Sequence, residues 1–224
     1  MKKNRIELKV FLSAAFILSA IEQSNSMALF EAIKLKNIDL VELIIDSRVD
    51  DINMSSIVDD SLFPAIQSGC FPIIRSLVVR GANISACNAR WECTPLHYAA
   101  QIGNTTVVRL LMNCGADISI RSDCGNNLLY FAVLSGKLDT VKFLLEKCRA
   151  DLTALDRYWI FRESIHSQKM DIIKFLFDEL YEEENDSEDL LALFLPVEFL
   201  KIAEFIIEKC GAKLDNDVYR ENKS

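Results

Sequence analysis

The sequence predicts an all-α solenoid of about six helix-turn-helix repeats, and three observations carry that prediction. Gly69, Gly103 and Gly136 recur at intervals of 34 and 33 residues. Each is flanked by two short apolar segments whose residues fall at helical spacing. A helix pair of this size buries little surface alone, so its stability must come from stacking against neighbours.

The units follow in order. Unit one (27–59) has apolar segments at 29–33 and 38–44, with Lys36 standing where Gly69 stands one repeat later. Unit two (60–92) holds 65–69 and then 77–83. Unit three (93–125) is the most complete: 94–103, then Val107, Val108, Leu110, Leu111 and Met112, then 115–117. Those five apolar residues cover most of a helix circumference, as expected of a helix sandwiched between neighbours. Unit four (126–157) repeats the pattern at 127–136 and 141–145. In unit five (158–188), residues 169–176 echo 137–144 at an offset of 32, and Gln168 takes the glycine position. Unit six (189–214) mirrors the end of unit four at 202–212, and a tail of 215–224 follows.

Within unit three the local signals are specific. Thr94 is placed to cap the first helix, and Pro95 sits at its first position, where a missing N–H costs nothing. Gly103 ends that helix and Gly115 the second, each in a left-handed conformation. Thr94, Pro95, Leu96, His97 and Ala99 resemble the start of an ankyrin repeat, whose period is about 33 residues. The resemblance implies paired antiparallel helices linked by β-hairpin or turn fingers. It also implies that Thr94 and His97 make structural hydrogen bonds, and that any binding site lies along the first helices and finger tips.

Composition narrows the function. The chain has 224 residues, half of them hydrophobic, and a net charge of -8. That balance disfavours a nucleic-acid partner, whose phosphates it would repel. No apolar run approaches the roughly 20 residues needed for an integral membrane span. Residues 1–26 support two readings. Lys2, Lys3 and Arg5 ahead of an apolar stretch at 10–20 resemble a signal peptide, whereas an amphipathic capping helix for unit one fits the same residues. The first makes the protein exported, the second cytoplasmic in its own or a host cell. Of seven cysteines, Cys114, Cys148 and Cys210 each end a similar helix, one per unit, which suits a reducing compartment better than disulfides.

Catalysis has weak support. His97 lies near Cys87, Cys93 and Cys124, but the cysteine spacing is not that of a zinc knuckle, and no metal or cofactor is expected. There is no glycine-rich phosphate loop. An enzyme would have to place its chemistry at His166 or the acidic run 178–189, which reads more simply as a solvated loop.

Binding to another protein through the concave face is the expected function. The two positions before each helix-ending residue face that surface: Lys34 and Leu35, Gln67 and Ser68, Gln101 and Ile102, Leu134 and Ser135, His166 and Ser167. Finger tips add Arg90, Trp91, Glu92, Asp123, Arg157, Tyr158 and Trp159. Trp, Tyr and Arg are the types most enriched at interface hot spots. The alternative is a secreted or translocated microbial or viral effector that acts on host proteins by the same binding mode.

Overall fold

The structure is a computed structural model that describes residues 25–46, 54–85, 87, 93–180 and 205. Its described residues form five helix pairs: α1 (Asn25–Lys34) with α2 (Ile38–Asp46), α3 (Met54–Ser68) with α4 (Phe71–Val79), α5 (Pro95–Ile102) with α6 (Thr105–Asn113), α7 (Leu128–Ser135) with α8 (Leu138–Cys148), and α9 (Ala154–His166) with α10 (Met170–Leu180). The first helices α1, α3, α5, α7 and α9 stack in that order, and each second helix packs behind its own partner. One continuous core runs through the stack, from Leu29 and Ile33 to Ile172 and Leu176.

Caps set the helix starts. Thr94 Oγ1 accepts from the His97 backbone N–H while His97 Nδ1 accepts from the Thr94 N–H, a reciprocal capping box. Asn37, Asn104 and Asn127 each accept a backbone N–H three residues on, opening α2, α6 and α7 at 3.1, 3.2 and 3.0 Å. Left-handed residues end the first helices: Gly69, Gly103 and Gly136 at φ of 66°, 75° and 66°, with Lys36 and Gln168 in the same conformation at 53° and 54°. The repeat frame therefore dictates the backbone even where the glycine is gone.

Contacts between units join residues about one period apart. Thr140 Oγ1 donates to the Gly103 carbonyl at 3.1 Å, which leaves Thr105 to donate to Thr140 at 2.9 Å. Tyr130 Oη donates to Glu163 at 3.1 Å, and Arg80 pairs with Asp46. On the outer surface, cations of one unit cover aromatic rings of the next: Arg109 over Phe143 at 3.9 Å, Lys142 over Phe175 at 5.4 Å and Lys174 over Phe205 at 5.4 Å.

The links, expected as β-hairpin or turn fingers, take the turn form among the described residues, where Cys93 alone makes an isolated bridge, while three other sequence expectations need correction. The link after α6 is closed by Ser122 N–H to Asn126 O at 3.0 Å and Gly125 N–H to Ser122 O at 2.8 Å. Second helices are buried along one stripe and not all round. Val107, Val108 and Leu111 are buried, whereas Leu110 and Met112 lean toward the outer surface. The boundaries 59/60 and 157/158 fall inside α3 and α9. Finally, Arg157, Tyr158 and Trp159 are not finger residues, because Thr153 caps α9 early and leaves only residues 149–153 between α8 and α9.

Candidate functional site

The positions read as partner-facing line up along the ends of the stacked first helices. Gln67, Gln101 and His166 are exposed, Leu134 is 38% exposed, and Ile102 is half-buried. Lys34 is exposed and pairs with Glu31 at 3.1 Å, with Leu35 open beside it. The serines of the row have a backbone role. Ser135 Oγ donates to the Ala132 carbonyl at 2.6 Å and accepts the Lys137 N–H at 3.1 Å, and Ser68 makes the same pair of bonds at 2.7 and 3.1 Å. Ser167 donates to the Ser164 carbonyl at 2.6 Å. These hydroxyls tie off carbonyls that a helix end leaves unpaired. The side chains of the row that are exposed or half-buried are Lys34, Leu35, Gln67, Gln101, Ile102, Leu134 and His166.

Of the finger residues, Arg90, Trp91 and Glu92 lie outside the described residues. Asp123 is exposed and accepts from the Cys87 thiol at 3.0 Å.

His97 is placed for structure. It is 1% exposed, its Nδ1 lies 2.8 Å from Thr94 Oγ1, and its ring packs 4.8 Å from that of Phe131. Because Nδ1 accepts from the Thr94 N–H, the proton belongs on Nε2. Nε2 is buried with no partner in hydrogen-bond geometry, and the Ile120 carbonyl of the next link is the backbone group that favours a proton there. Burial pushes the imidazole down to about 4, so it stays neutral. Burial likewise pushes the Cys93 thiol up to about 12 and that of Cys148 to about 11, which keeps both protonated. Among the described residues no three His, Cys, Asp or Glu side chains are grouped to hold a metal ion. Of the acidic run, Asp178 lies on α10, and the rest beyond Leu180 lies outside the described residues.

Sequence reading missed the most connected polar site. Asp156 is buried at the first turn of α9, where its Oδ2 accepts from the Thr153 N–H and hydroxyl at 3.0 and 2.7 Å. Arg121, from the link after α6, completes the set. A signal was present: Thr153-Ala154-Leu155-Asp156 has the cap-to-third-position spacing of Thr94-Pro95-Leu96-His97. On α9, Leu155 and Arg162, which sequence reading did not name, are exposed alongside Tyr158, Trp159 and His166.

Comparison with known proteins agrees with this geometry. Residues 62–156 match the family described as ankyrin repeats, in three copies. A 2-5A-dependent ribonuclease of Mus musculus is 42% identical over 59 residues, covering 26% of this chain and 8% of its own. An ankyrin repeat-containing protein of Treponema pallidum is 34% identical over 105 residues, covering 47% and 35%. An interferon antagonist of Monkeypox virus is 35% identical over 102 residues, covering 46% and 34%. The match thus spans from 8% to 35% of the length of these relatives. With its stacked helix pairs, left-handed helix ends and one-period contacts, the chain carries three ankyrin repeats at residues 62–156.

Proposed function

We propose that the protein is a non-catalytic binding module that holds another protein against the row formed by Gln67, Gln101, Ile102, Leu134 and His166. The observation that carries this reading is the division of labour in the first helices. Their buried polar groups, Thr94, His97 and Ser164, serve caps and stacking, whereas the row presents mixed polar and apolar side chains to the outside. Ankyrin repeats are in general interaction modules. The ribonuclease relative brings no activity to this chain, since the shared stretch is 59 residues and 8% of that protein.

The test replaces Gln101, Ile102 and Leu134 together with alanine and compares captured proteins by quantitative mass spectrometry. Loss of at least one specific partner, with helical content and melting unchanged, supports the site; an unchanged set of partners contradicts it.

A second reading is favoured by the viral relative named an interferon antagonist. Here the same row engages host proteins as an effector. N-terminal sequencing of the mature protein, with its location in infected or co-cultured cells, separates that reading from a resident one.

A further inference from the structure

The turns that end the five first helices, at 34–37, 67–70, 101–104, 134–137 and 166–169, hold four lysines and no aspartate or glutamate, in a chain whose net charge is -8. Lys34 is paired with Glu31. Lys36, Lys137 and Lys169 are exposed and make no ion pair among the described residues.

Lys137 and Lys169 occupy the same place in successive units, one residue after Gly136 and Gln168. Their stems lie across the turn of the unit before, where glycine leaves room for them. Lys137 Cβ comes within 3.1 Å of the point where Gly103 would carry a Cβ, and Lys169 Cε within 3.4 Å of the same point on Gly136. Asn104 lies over Gly69 in the same way, its Nδ2 at 3.7 Å. Neighbouring helices of a stack stand about 10 Å apart, so the two cations repeat along the row at that step. Leu134 and the half-buried Ile102 belong to the same turns and set apolar surface beside them.

The carboxylates nearest in sequence serve other groups. Asp139 and Asp171 sit in the first turns of α8 and α10, where they complement the helix dipole, and Glu163 accepts from the Tyr130 hydroxyl. A ligand for these turns therefore needs negative charges about 10 Å apart with an apolar group between them. Three residues of extended peptide cover that distance, so carboxylates three positions apart reach both lysines. A single-stranded nucleic acid fits less well. The five turns hold no Phe, Tyr or Trp on which bases could stack, and the net charge of the chain repels a phosphate backbone.

We propose that the turns of units three to five bind an acidic peptide segment, with Lys137 and Lys169 as carboxylate partners and Ile102 and Leu134 receiving an apolar side chain. This rests on the binding-module reading above and adds the chemistry of the partner.

The probe is a fluorescein-labelled peptide of about 12 residues, long enough in extended form to pass four units, with Glu at every third position and Leu or Ser between. A second peptide replaces each Glu with Gln, and a third probe is a labelled single-stranded RNA of the same length. Anisotropy is measured against the full chain and two double variants, each checked for unchanged circular dichroism and melting. Lys137→Gln with Lys169→Gln removes the charges but keeps side chains over the turns, and Lys142→Gln with Lys147→Gln removes two exposed cations of the outer helix α8. The expected result is saturable binding of the acidic peptide, weakened about tenfold or more by the first variant, by the Gln peptide and by raised salt, and unchanged by the second variant. No saturable binding, equal affinity for both peptides, equal loss in both variants, binding that survives the first variant, or tighter binding of the RNA overturns the proposal. If it fails in one of these ways while the triple-alanine variant still loses its partner, the binding row stands and only the assigned chemistry falls. If the peptide binds as expected while that variant keeps every partner, the lysine pair stands and the row as the site of the cellular partner falls.

Discussion

Arg121 and Asp156, 35 residues apart, form a two-point ion pair at 2.7 and 2.8 Å that fastens the link after α6 to the first turn of α9. The connection between α8 and α9 is short, residues 149–153, and brings a carboxylate beside the link after α6. The same carboxylate closes the capping box with Thr153, so one side chain fixes both the helix start and its attachment. The Arg121 guanidinium, with help from Thr153, holds the Asp156 carboxyl well below the usual carboxylate range.

Asp156 should make the C-terminal units acid-sensitive. Its folded pKa lies below its unfolded value of about 3.9, so its stabilisation is present above that pH and is lost as pH falls below it. Asp156→Asn should destabilise by about 2 kcal/mol at neutral pH and flatten this acid dependence, because the Arg121 fork and Thr153 lose a charged acceptor. Urea unfolding followed between pH 7 and 3 checks both effects.

His97 adds a second pH effect in a higher window. Its folded value of about 4 lies under the ordinary 6.5, so the unfolded chain binds a proton that the folded chain refuses. Stability is complete above 6.5 and falls as pH drops toward 4, by at most about 1.4 kcal/mol per pH unit. The His97→Asn variant should start less stable at pH 7 and show a shallower decline between pH 6.5 and 4. Parallel curves for parent and variant would contradict the buried neutral imidazole.

Glycines with similar backbone angles should respond differently to alanine. A Cβ on Gly103 would lie 2.4 Å from Lys137 Cγ and 3.1 Å from Ser135 Cβ, whereas one on Gly115 meets nothing within 4 Å. Both substitutions cost about 1 kcal/mol for a left-handed alanine, and Gly103→Ala adds displacement of the next unit. Thermal melts should rank Gly103→Ala clearly below Gly115→Ala.

Lys36 and Gln168 offer the reverse experiment. Each holds a left-handed conformation that favours glycine, so Lys36→Gly and Gln168→Gly should each stabilise by about 0.5 kcal/mol after the entropy cost of glycine in the unfolded chain. Chemical denaturation resolves a gain of this size best with the two changes combined.

Leu111 reports on stacking itself. It is fully buried at 0% exposure, so Leu111→Ala should cost about 2 to 5 kcal/mol, while Leu110→Ala, at the edge of the outer surface, should cost markedly less.

Much of this was legible from the repeat frame. Period, helix pairing, the Thr94 and His97 cap, and the left-handed places of Lys36 and Gln168 all follow from aligning each unit with its neighbour. Arg157, Tyr158 and Trp159 were misplaced because unit five lacks a link of ordinary length, and a frame anchored at Gln168 gives no warning of an early cap at Thr153. The backbone role of Ser135 was hidden for another reason. A serine just before a helix-ending glycine reads as surface, and only coordinates show its hydroxyl turned back onto Ala132. Pairs such as Arg121 with Asp156 depend on the three-dimensional offset between units, which spacing alone does not fix.

The central claim is that partners lie against the inner row, and site-specific photo-crosslinking tests it most directly. A benzophenone amino acid placed at Leu134 on the row is compared with one at Glu146, exposed on the outer helix α8. The account predicts a partner crosslink from position 134 and none from 146; crosslinking from 146 alone would contradict it.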